Sequence, residues 1–305
     1  MRILIVASGN SGKVSPFVQD QVTSLEDMGL SFDYFLIKGK GLLGYLKNYP
    51  RLIHTIKKKK YDLLHAHYGL SGLLASAQFK LPVLITFHGS DINLKKNYFF
   101  SRLAANISTE NIFVHPNLSE KLKYNQKKIN IIPCGVDLET FRPIPQLTAK
   151  KILGLDINLR YILFGSAFDN PVKNSLLARD ATNGLNNTKL IELKNYSKKE
   201  VNLLMNASDL LLITSFSETG PIVAKEALAC NCPIVSTNVG DVKIIINNVK
   251  NCFITEFDAH DIQNKIRIIF DSNYRSNGRG NVKPFSLDII AKKIYEIYKT
   301  FNQST

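Results

Sequence analysis

Short apolar runs alternate with amphipathic stretches along almost the whole of this chain, and that alternation restricts the available folds more than any other feature. In the first half the runs fall at 2–7, 32–37, 62–66, 82–87, 111–115 and 129–132, with helical patterns between them, as at 16–28 and 69–79. The second half repeats the plan with runs at 161–164, 190–193, 210–214, 233–236 and 252–256. Near-continuous apolar strands separated by helices mean parallel sheets covered on both faces, the α/β class. At 305 residues the chain exceeds one hydrophobic core, so two domains are expected. In such sheets ligands bind beyond the carboxyl ends of the strands, and the loops found there are where functional residues are sought.

Composition removes several classes. Hydrophobic residues make up 45% and mean hydropathy is −0.05, with no run near the roughly 18 apolar residues of a membrane span. The opening MRILIVASG reads as a first buried strand, because its apolar run is short and residues 8–13 look like a loop and not a cleavage site. Cys134, Cys230, Cys232 and Cys252 form no Cys-x-x-Cys pair and have no histidine at metal-ligand spacing, so reduced thiols and a cytoplasmic protein are expected. The net charge of +14 is uneven: residues 1–142 hold 19 Lys+Arg against 10 Asp+Glu, the remainder 20 against 15. A basic surface favours nucleic acid, anionic lipid or phosphorylated substrates, and here the first half is the more basic.

The stretch 215–242, SFSETGPIVAKEALACNCPIVSTNVGDV, carries the strongest chemical signal. Glu218 and Glu226 stand eight residues apart, Pro221 reads as a helix start, and the Asn231-Cys232-Pro233 turn reads as its end. A helix tip entered through Thr219-Gly220 points backbone N–H groups and a positive dipole end outward, which suits phosphate oxygens. Carboxylates repel phosphate, so the combination makes sense for a ligand that also carries hydroxyls, as a nucleotide sugar does. The plainer alternative is a helix with Glu226 solvated and Glu218 merely favouring the dipole. The stretch resembles the Glu-x7-Glu motif of retaining GT-B glycosyltransferases, the "group 1" or family-four class. The resemblance implies that Glu218 and the turn Thr219, Gly220, Pro221 contact the donor hexose and that Glu226 binds ribose hydroxyls.

Further matches follow along the chain. IIPCGVDLETFRPIP resembles the family's connector between domains, with Cys134 where Asn is common, and puts a boundary near residues 142–147. The expected division is therefore 1–145 as an acceptor-side Rossmann-like domain, 146–285 as a nucleotide-sugar domain, and 286–305 as a helix crossing back to the first. In FGSAFDNPVKN, Lys173 stands where the family has a lysine that neutralises the departing diphosphate. Its usual arginine partner is absent, the loop offering Ser166, Ala167 and Val172, and Asn174 replaces the common glycine. That absence keeps a degenerate, partner-dependent transferase in view.

In the first half, Gly9 and Gly12 follow the first strand and precede a helix near Pro16; the resemblance implies that Gly12 faces the donor phosphates, while a plain turn is the simpler reading. His88 stands at the end of the fourth run, and Gly89 permits the positive φ that turns an imidazole into a cleft; the family has a donor-contacting histidine in this loop. Asp91 is expected to cap the next helix in preference to orienting His88. His65 and His67 could line the same cleft, and a shared metal is not expected, on the premise that these strand positions face opposite sides. Two basic stretches with apolar residues, 41–60 and 94–103, read as a membrane or acceptor surface or, more simply, as core-facing stripes with solvated lysines.

The resemblance covers nearly the whole chain and implies two Rossmann-like domains facing a central cleft. It implies hexose transfer from a nucleoside diphosphate sugar to a hydroxyl with retention of configuration, without metal or other cofactor, in surface polysaccharide or glycolipid synthesis; the basic charge adds the expectation of a lipid-linked or polysaccharide acceptor and of an enzyme peripheral on the inner face of the membrane. His88, Lys173 and Glu218 are the candidate catalytic residues. A sugar-nucleotide epimerase on the same fold, or a basic nucleic-acid-binding protein, are the alternatives; the latter leaves Glu218, Glu226 and His88 without a role.

Overall fold

The computed structural model describes residues 1–124, 129–272 and 274–302. It divides into two compact units: Met1–Gly135 together with the segment that begins at Leu287, and Val136–Ser286. The last residues of the expected 286–305 segment, 303–305, lie outside the described residues.

The first unit is a parallel sheet of β1 (Arg2–Ser8), β2 (Ser31–Ile37), β3 (Leu63–His67), β4 (Val83–Phe87), β5 (Glu110–Phe113) and β6 (Asn130–Ile131), in the order β2-β1-β3-β4-β5-β6. Its helices are α1 (Pro16–Glu26), α2 (Gly41–Leu46), α3 (Tyr49–Lys58), α4 (Gly69–Ser76), α5 (Ser90–Asn93), α6 (Lys95–Ile107) and α7 (Pro116–Lys121). Strand side chains alternate between two cores: Leu4, Val6, Leu64, Ala66, Ile85 and Phe87 face one, Ile3, Ile5, Leu63 and Leu84 the other. Burial on both faces is why these strands read as unbroken apolar runs and not as alternation.

Local chemistry trims the expected elements. β5 stops at Phe113, short of the expected 115, because His115 turns to cap α7 and accepts from the Asn117 N–H at 3.3 Å, with Pro116 opening the helix. α4 stops at Ser76, short of 79, where Phe79 takes φ +51° and is exposed. The basic stretch 41–60 is two helices broken at Asn48, whose amide donates to the Lys38 and Gly44 carbonyls. Its apolar residues divide: Leu52 is fully buried, whereas Leu43 is 75% exposed.

The second unit holds α8 (Gln146–Ile152), β7 (Arg160–Phe164), α9 (Ser175–Thr182), β8 (Thr188–Glu192), α10 (Lys198–Ala207), β9 (Leu210–Ile213) and α11 (Ile222–Ala229). It continues with β10 (Ile234–Thr237), α12 (Val242–Ile245), β11 (Cys252–Thr255), α13 (Ala259–Asp271) and α14 (Arg279–Val282). The parallel sheet runs β11-β10-β9-β7-β8. The expected boundary at 145/146 falls inside this unit. Val136 donates to the Phe285 carbonyl at 2.8 Å, Phe141 is buried in the second unit's core, and the Ile144 N–H donates to Asn206 Oδ1 at 2.8 Å. Ten residues that read as connector are thus tied down by packing and hydrogen bonds.

The last helix, α15 (Leu287–Asn302), belongs to the first unit and lies against α1. Ile290, Ile294, Ile297 and Tyr298 enter the core beneath β1 and β3. Among the described residues no helix is long and apolar enough to cross a membrane.

Candidate functional site

In the second unit, β8 follows β7 on one side while β9 returns on the other, so the strand order reverses between β7 and β9. The loops leaving these two strands diverge, and the space between them is the usual ligand position of an open parallel sheet. The loop after β7 ends in a 3-10 turn, Pro171–Lys173, capped by Asn170 Oδ1 accepting from the Val172 N–H at 3.2 Å. Buried Thr214, at the end of β9, donates to the carbonyls of Lys173 at 3.0 Å and Asn174 at 2.9 Å, and the Phe216 N–H donates to the Val172 carbonyl at 2.9 Å. The two loops are zipped together.

That backbone geometry delivers two side chains to one point. Lys173 Nζ donates to Glu218 Oε1 at 2.5 Å, and Ser215 Oγ donates to the same oxygen at 2.7 Å. Both partners of the ion pair keep part of their surface open to solvent. Immediately after Glu218 the turn Thr219, Gly220, Pro221 leads into α11. Pro221 is the cap, extended at ψ 114°, and the helix starts one residue later than expected. α11 begins four residues after Glu218, the partner of Lys173, and the amides of its first turn lack intrahelical acceptors, a second source of positive potential. Glu226 lies partly exposed in the second turn of α11. The arrangement can hold an anion through Lys173 and the helix tip while the carboxylates accept from hydroxyls.

Beneath this turn lies a buried ion pair. Lys225 on α11 is fully buried and donates to Asp241 Oδ2 at 2.8 Å; its ammonium also lies 5.3 Å from the Phe285 ring centroid. Asp241 is 8% exposed, and its second oxygen, Oδ1, has no hydrogen-bond partner among the described residues. A Cβ on Gly220 would stand 3.4–3.5 Å from the Asp241 carboxylate and Lys225 Nζ, and one on Gly240, at φ +54°, would stand 2.9 Å from the Thr219 carbonyl oxygen. Close approach of the two turns therefore requires glycine at 240.

In the first unit the order reverses between β1 and β3. Gly12, at φ +80°, lies in the exposed turn after β1, where the Gly12 N–H donates to the Gly9 carbonyl at 3.0 Å. His88 follows β4, with Gly89 at φ +114°, and packs against Phe17 of α1 and Tyr68 at ring-centroid distances of 4.8 and 4.7 Å. The premise that His65 and His67 face opposite sides is wrong, since strand residues two apart share a face. Their rings stack at 4.6 Å, and His67 stacks in turn on His88 at 5.3 Å.

Asp91 does more than cap one helix end. Its Oδ1 accepts from the Gly89 N–H at 2.8 Å and its Oδ2 from the Gly69 N–H at 3.2 Å, so it fastens the start of α4 to the His88 loop. Burial pushes its carboxyl up to about 6, against the pull of those backbone donors. Burial acts oppositely on the imidazoles, lowering His67 to about 3 and His65 and His88 well below the ordinary value.

Residues 119–281, more than half of the chain, match the family described as Glycosyl transferases group 1, and residues 14–140 match Glycosyltransferase Family 4. This chain belongs to the group 1 glycosyltransferases. It is 25% identical over 342 aligned positions to the Escherichia coli UDP-Gal:alpha-D-GlcNAc-diphosphoundecaprenol alpha-1,3-galactosyltransferase, covering 94% of this chain and 86% of that one. Sucrose-phosphate synthase from Thermosynechococcus elongatus superposes with a TM-score of 0.86 over the full length of both chains at 17% identity. Anabaena HepE, solved in complex with UDP-glucose, gives 0.76 over 98% of this chain and all of that one, also at 17% identity. At such identities these structures establish the fold, which is GT-B.

The glycosyltransferase brings Lys173, Glu218 and the 219–221 turn together in its second unit, with Glu226 one helical turn further on. Gly12 and His88 lie at carboxyl-end loops of its first unit. Sequence reasoning missed Thr214, Ser215, the Lys225–Asp241 pair and the His67–His88 contact. One signal was available: Lys225 and Glu226 both interrupt the apolar run 222–229, although the run alone does not say which of them is buried. Arg179 of α9 stacks on Phe168, in the loop that carries Lys173, at 4.1 Å.

Proposed function

We propose that this glycosyltransferase moves a hexose from a nucleoside diphosphate sugar to a hydroxyl with retention of configuration. The observation that carries this reading is the Lys173–Glu218 ion pair at the strand-order reversal, beside the N-terminal turn of α11. In this scheme the bond from the sugar's anomeric carbon to the diphosphate breaks as the bond to the acceptor oxygen forms on the same face, and the acceptor proton passes to the departing phosphate oxygen. Lys173 and the α11 amides meet the negative charge that grows on that diphosphate, which is the interaction a transferase must strengthen in the transition state. A fixed ammonium and a helix tip do there what a divalent cation does elsewhere, so the reaction runs without metal or other cofactor. Glu218 accepts from hexose hydroxyls and exchanges its ion pair for them; Glu226 holds the ribose. His88 and Gly12 remain the donor-site candidates of the first unit.

The acceptor we propose is a lipid-linked or polysaccharide hydroxyl at an anionic membrane surface. Two features support it. The E. coli relative is named for a diphosphoundecaprenol substrate, and the first unit exposes Leu43 and Leu46 of α2 and Phe99, 68% exposed, of α6 among Lys40, Lys47, Lys95 and Lys96. Exposed apolar residues ringed by lysines suit an anionic leaflet. Flotation with anionic vesicles at low salt should retain the protein, and Phe99→Ser with Leu43→Ser should release it; no retention of the parent would end the membrane reading.

A thermal-shift panel of nucleotide sugars tests the donor reading, because a ligand bound only by the native state stabilises it by about 2.7 kcal/mol at a hundred times Kd. One donor should raise the midpoint, and NMR of the product should show the donor's anomeric configuration kept. A panel without response, or an inverted product, rejects the proposal.

A further inference from the structure

Three histidines of the first unit, His65, His67 and His88, form a stack in which five of the six ring nitrogens have a partner. His65 has both nitrogens satisfied: Nδ1 lies 2.6 Å from the Tyr298 hydroxyl on α15 and Nε2 lies 2.8 Å from Thr86 Oγ1. His67, stacked between the other two rings, has Nδ1 3.0 Å from His88 Nε2. Its Nε2 is buried and has no partner among the described residues. His88 Nδ1 in turn lies 3.8 Å from Cys134 Sγ.

A neutral imidazole carries one N–H, and a His–His hydrogen bond uses one proton. Two assignments exist. If His88 Nε2 carries the proton and donates, the proton of His67 must sit on its own Nε2, where it is a buried donor with nothing to receive it. If His67 Nδ1 carries the proton and donates, the unsatisfied Nε2 is only a lone pair. Orphaned buried N–H groups are rare, and under-satisfied acceptors less so. The second assignment leaves His88 Nε2 accepting, which puts the proton of His88 on Nδ1.

We propose that His67 is a positioning residue: through its Nδ1–H bond it holds His88 as the Nδ1–H tautomer, so that His88 meets a substrate oxygen as a hydrogen-bond donor and not as a base. Sulfur is a weak acceptor, so the Nδ1–H now facing Cys134 is available to a sugar or phosphate oxygen that comes within reach. The substrate half of this inference rests on the sugar-transfer reading above; the tautomer half does not.

The experiment is a two-bond 1H–15N correlation spectrum of the intact, ligand-free protein labelled at histidine, at pH 7, with His88 assigned from a His88→Gln sample. The expected pattern is the Nδ1–H signature for His88. His67→Phe keeps a stacked ring but has no donor, and should shift His88 toward the Nε2–H form. His67→Asn places an amide N–H near the lost Nδ1 and should restore the parent pattern. Turnover of whichever nucleotide sugar the thermal-shift panel selects should fall about tenfold in the Phe variant, the worth of one net hydrogen bond, and recover in the Asn variant. A parent spectrum with His88 protonated at Nε2, or a folded Phe variant with an unchanged His88 pattern, overturns the inference. If the Phe variant does not fold, the parent and Asn spectra still decide. A protein that shows the expected tautomer but turns over no nucleotide sugar refutes the functional reading and leaves the tautomer assignment standing.

Discussion

Removing either member of the Lys225–Asp241 pair should cost far more than removing both. The ammonium of Lys225 is fully buried, and its contacts are Asp241 Oδ2 at 2.8 Å and the Phe285 ring. Lys225→Met strands a carboxylate that already has one oxygen without a partner; Asp241→Leu strands an ammonium that an aromatic face cannot solvate. Breaking a buried pair by deleting one partner costs about 3–5 kcal/mol, whereas replacing both by apolar residues of similar volume is often neutral or stabilising. Each single variant should therefore lose about 3–5 kcal/mol of unfolding free energy, and the double variant less than about 1 kcal/mol. Urea unfolding of the second unit, followed as a double-mutant cycle, measures this. The turn above should respond as well, because the pair lies within van der Waals reach of the Gly220 position. The singles should bind nucleotide sugar more weakly even where they remain folded. Additive losses, or singles each costing less than about 1 kcal/mol, would refute the argument.

Other outcomes follow from the same geometry. Lys173→Ala should lower turnover about 10²–10³-fold with a smaller change in donor affinity, as expected for a group that meets charge developing in the transition state; Glu226→Ala should do the reverse, and steady-state kinetics separates the two. The first unit should be acid-sensitive. His65, His67 and His88 have native pKa values depressed below 6.5, so the stability they contribute is present above that value and is lost as pH falls through it toward about 3. Asp91, raised to about 6, works in the opposite sense, its contribution falling as pH rises from about 4 to 6. As pH falls below about 6 the histidines should lower the stability of the first unit against the opposing trend of Asp91, and His67→Phe should reduce the slope of a stability–pH plot by about 1.4 kcal/mol per pH unit. Tyr298→Phe removes one partner of buried His65 and should cost about 1–3 kcal/mol in denaturant unfolding.

The strands were legible because a parallel sheet covered on both faces demands unbroken apolar runs, and this chain has them at the observed positions within a residue or two. The ends were less legible, since they depend on caps: nothing in the run 111–115 says that His115 will turn away to receive the Asn117 amide. Lys173 and Glu218 could each be singled out by spacing and resemblance. That they touch could not, because they are 45 positions apart and meet only when β9 returns beside β7. Lys225 was passed over because a helical lysine is normally solvated, and its burial follows from a turn at Gly240 that packs over α11. His65 and His67 were misread through the two-residue period of a strand, an error that geometry corrects at once. The expected boundary at 145 failed because Pro143 and Pro145 look like linker, while their neighbours Arg142 and Ile144 hydrogen-bond to asparagines of α10.

The placement of α15 has a consequence for how the polypeptide comes off the ribosome. The second unit is one uninterrupted stretch and can close as soon as it has emerged, but the first unit needs Ile290, Ile294 and Tyr298, made more than 280 residues after its first strand begins. Until then the apolar patch under β1 and β3, together with the hydroxyl-starved His65, stays open. During synthesis the earlier-made half is therefore the last to be finished, and it is the half for which a nascent-chain chaperone would matter.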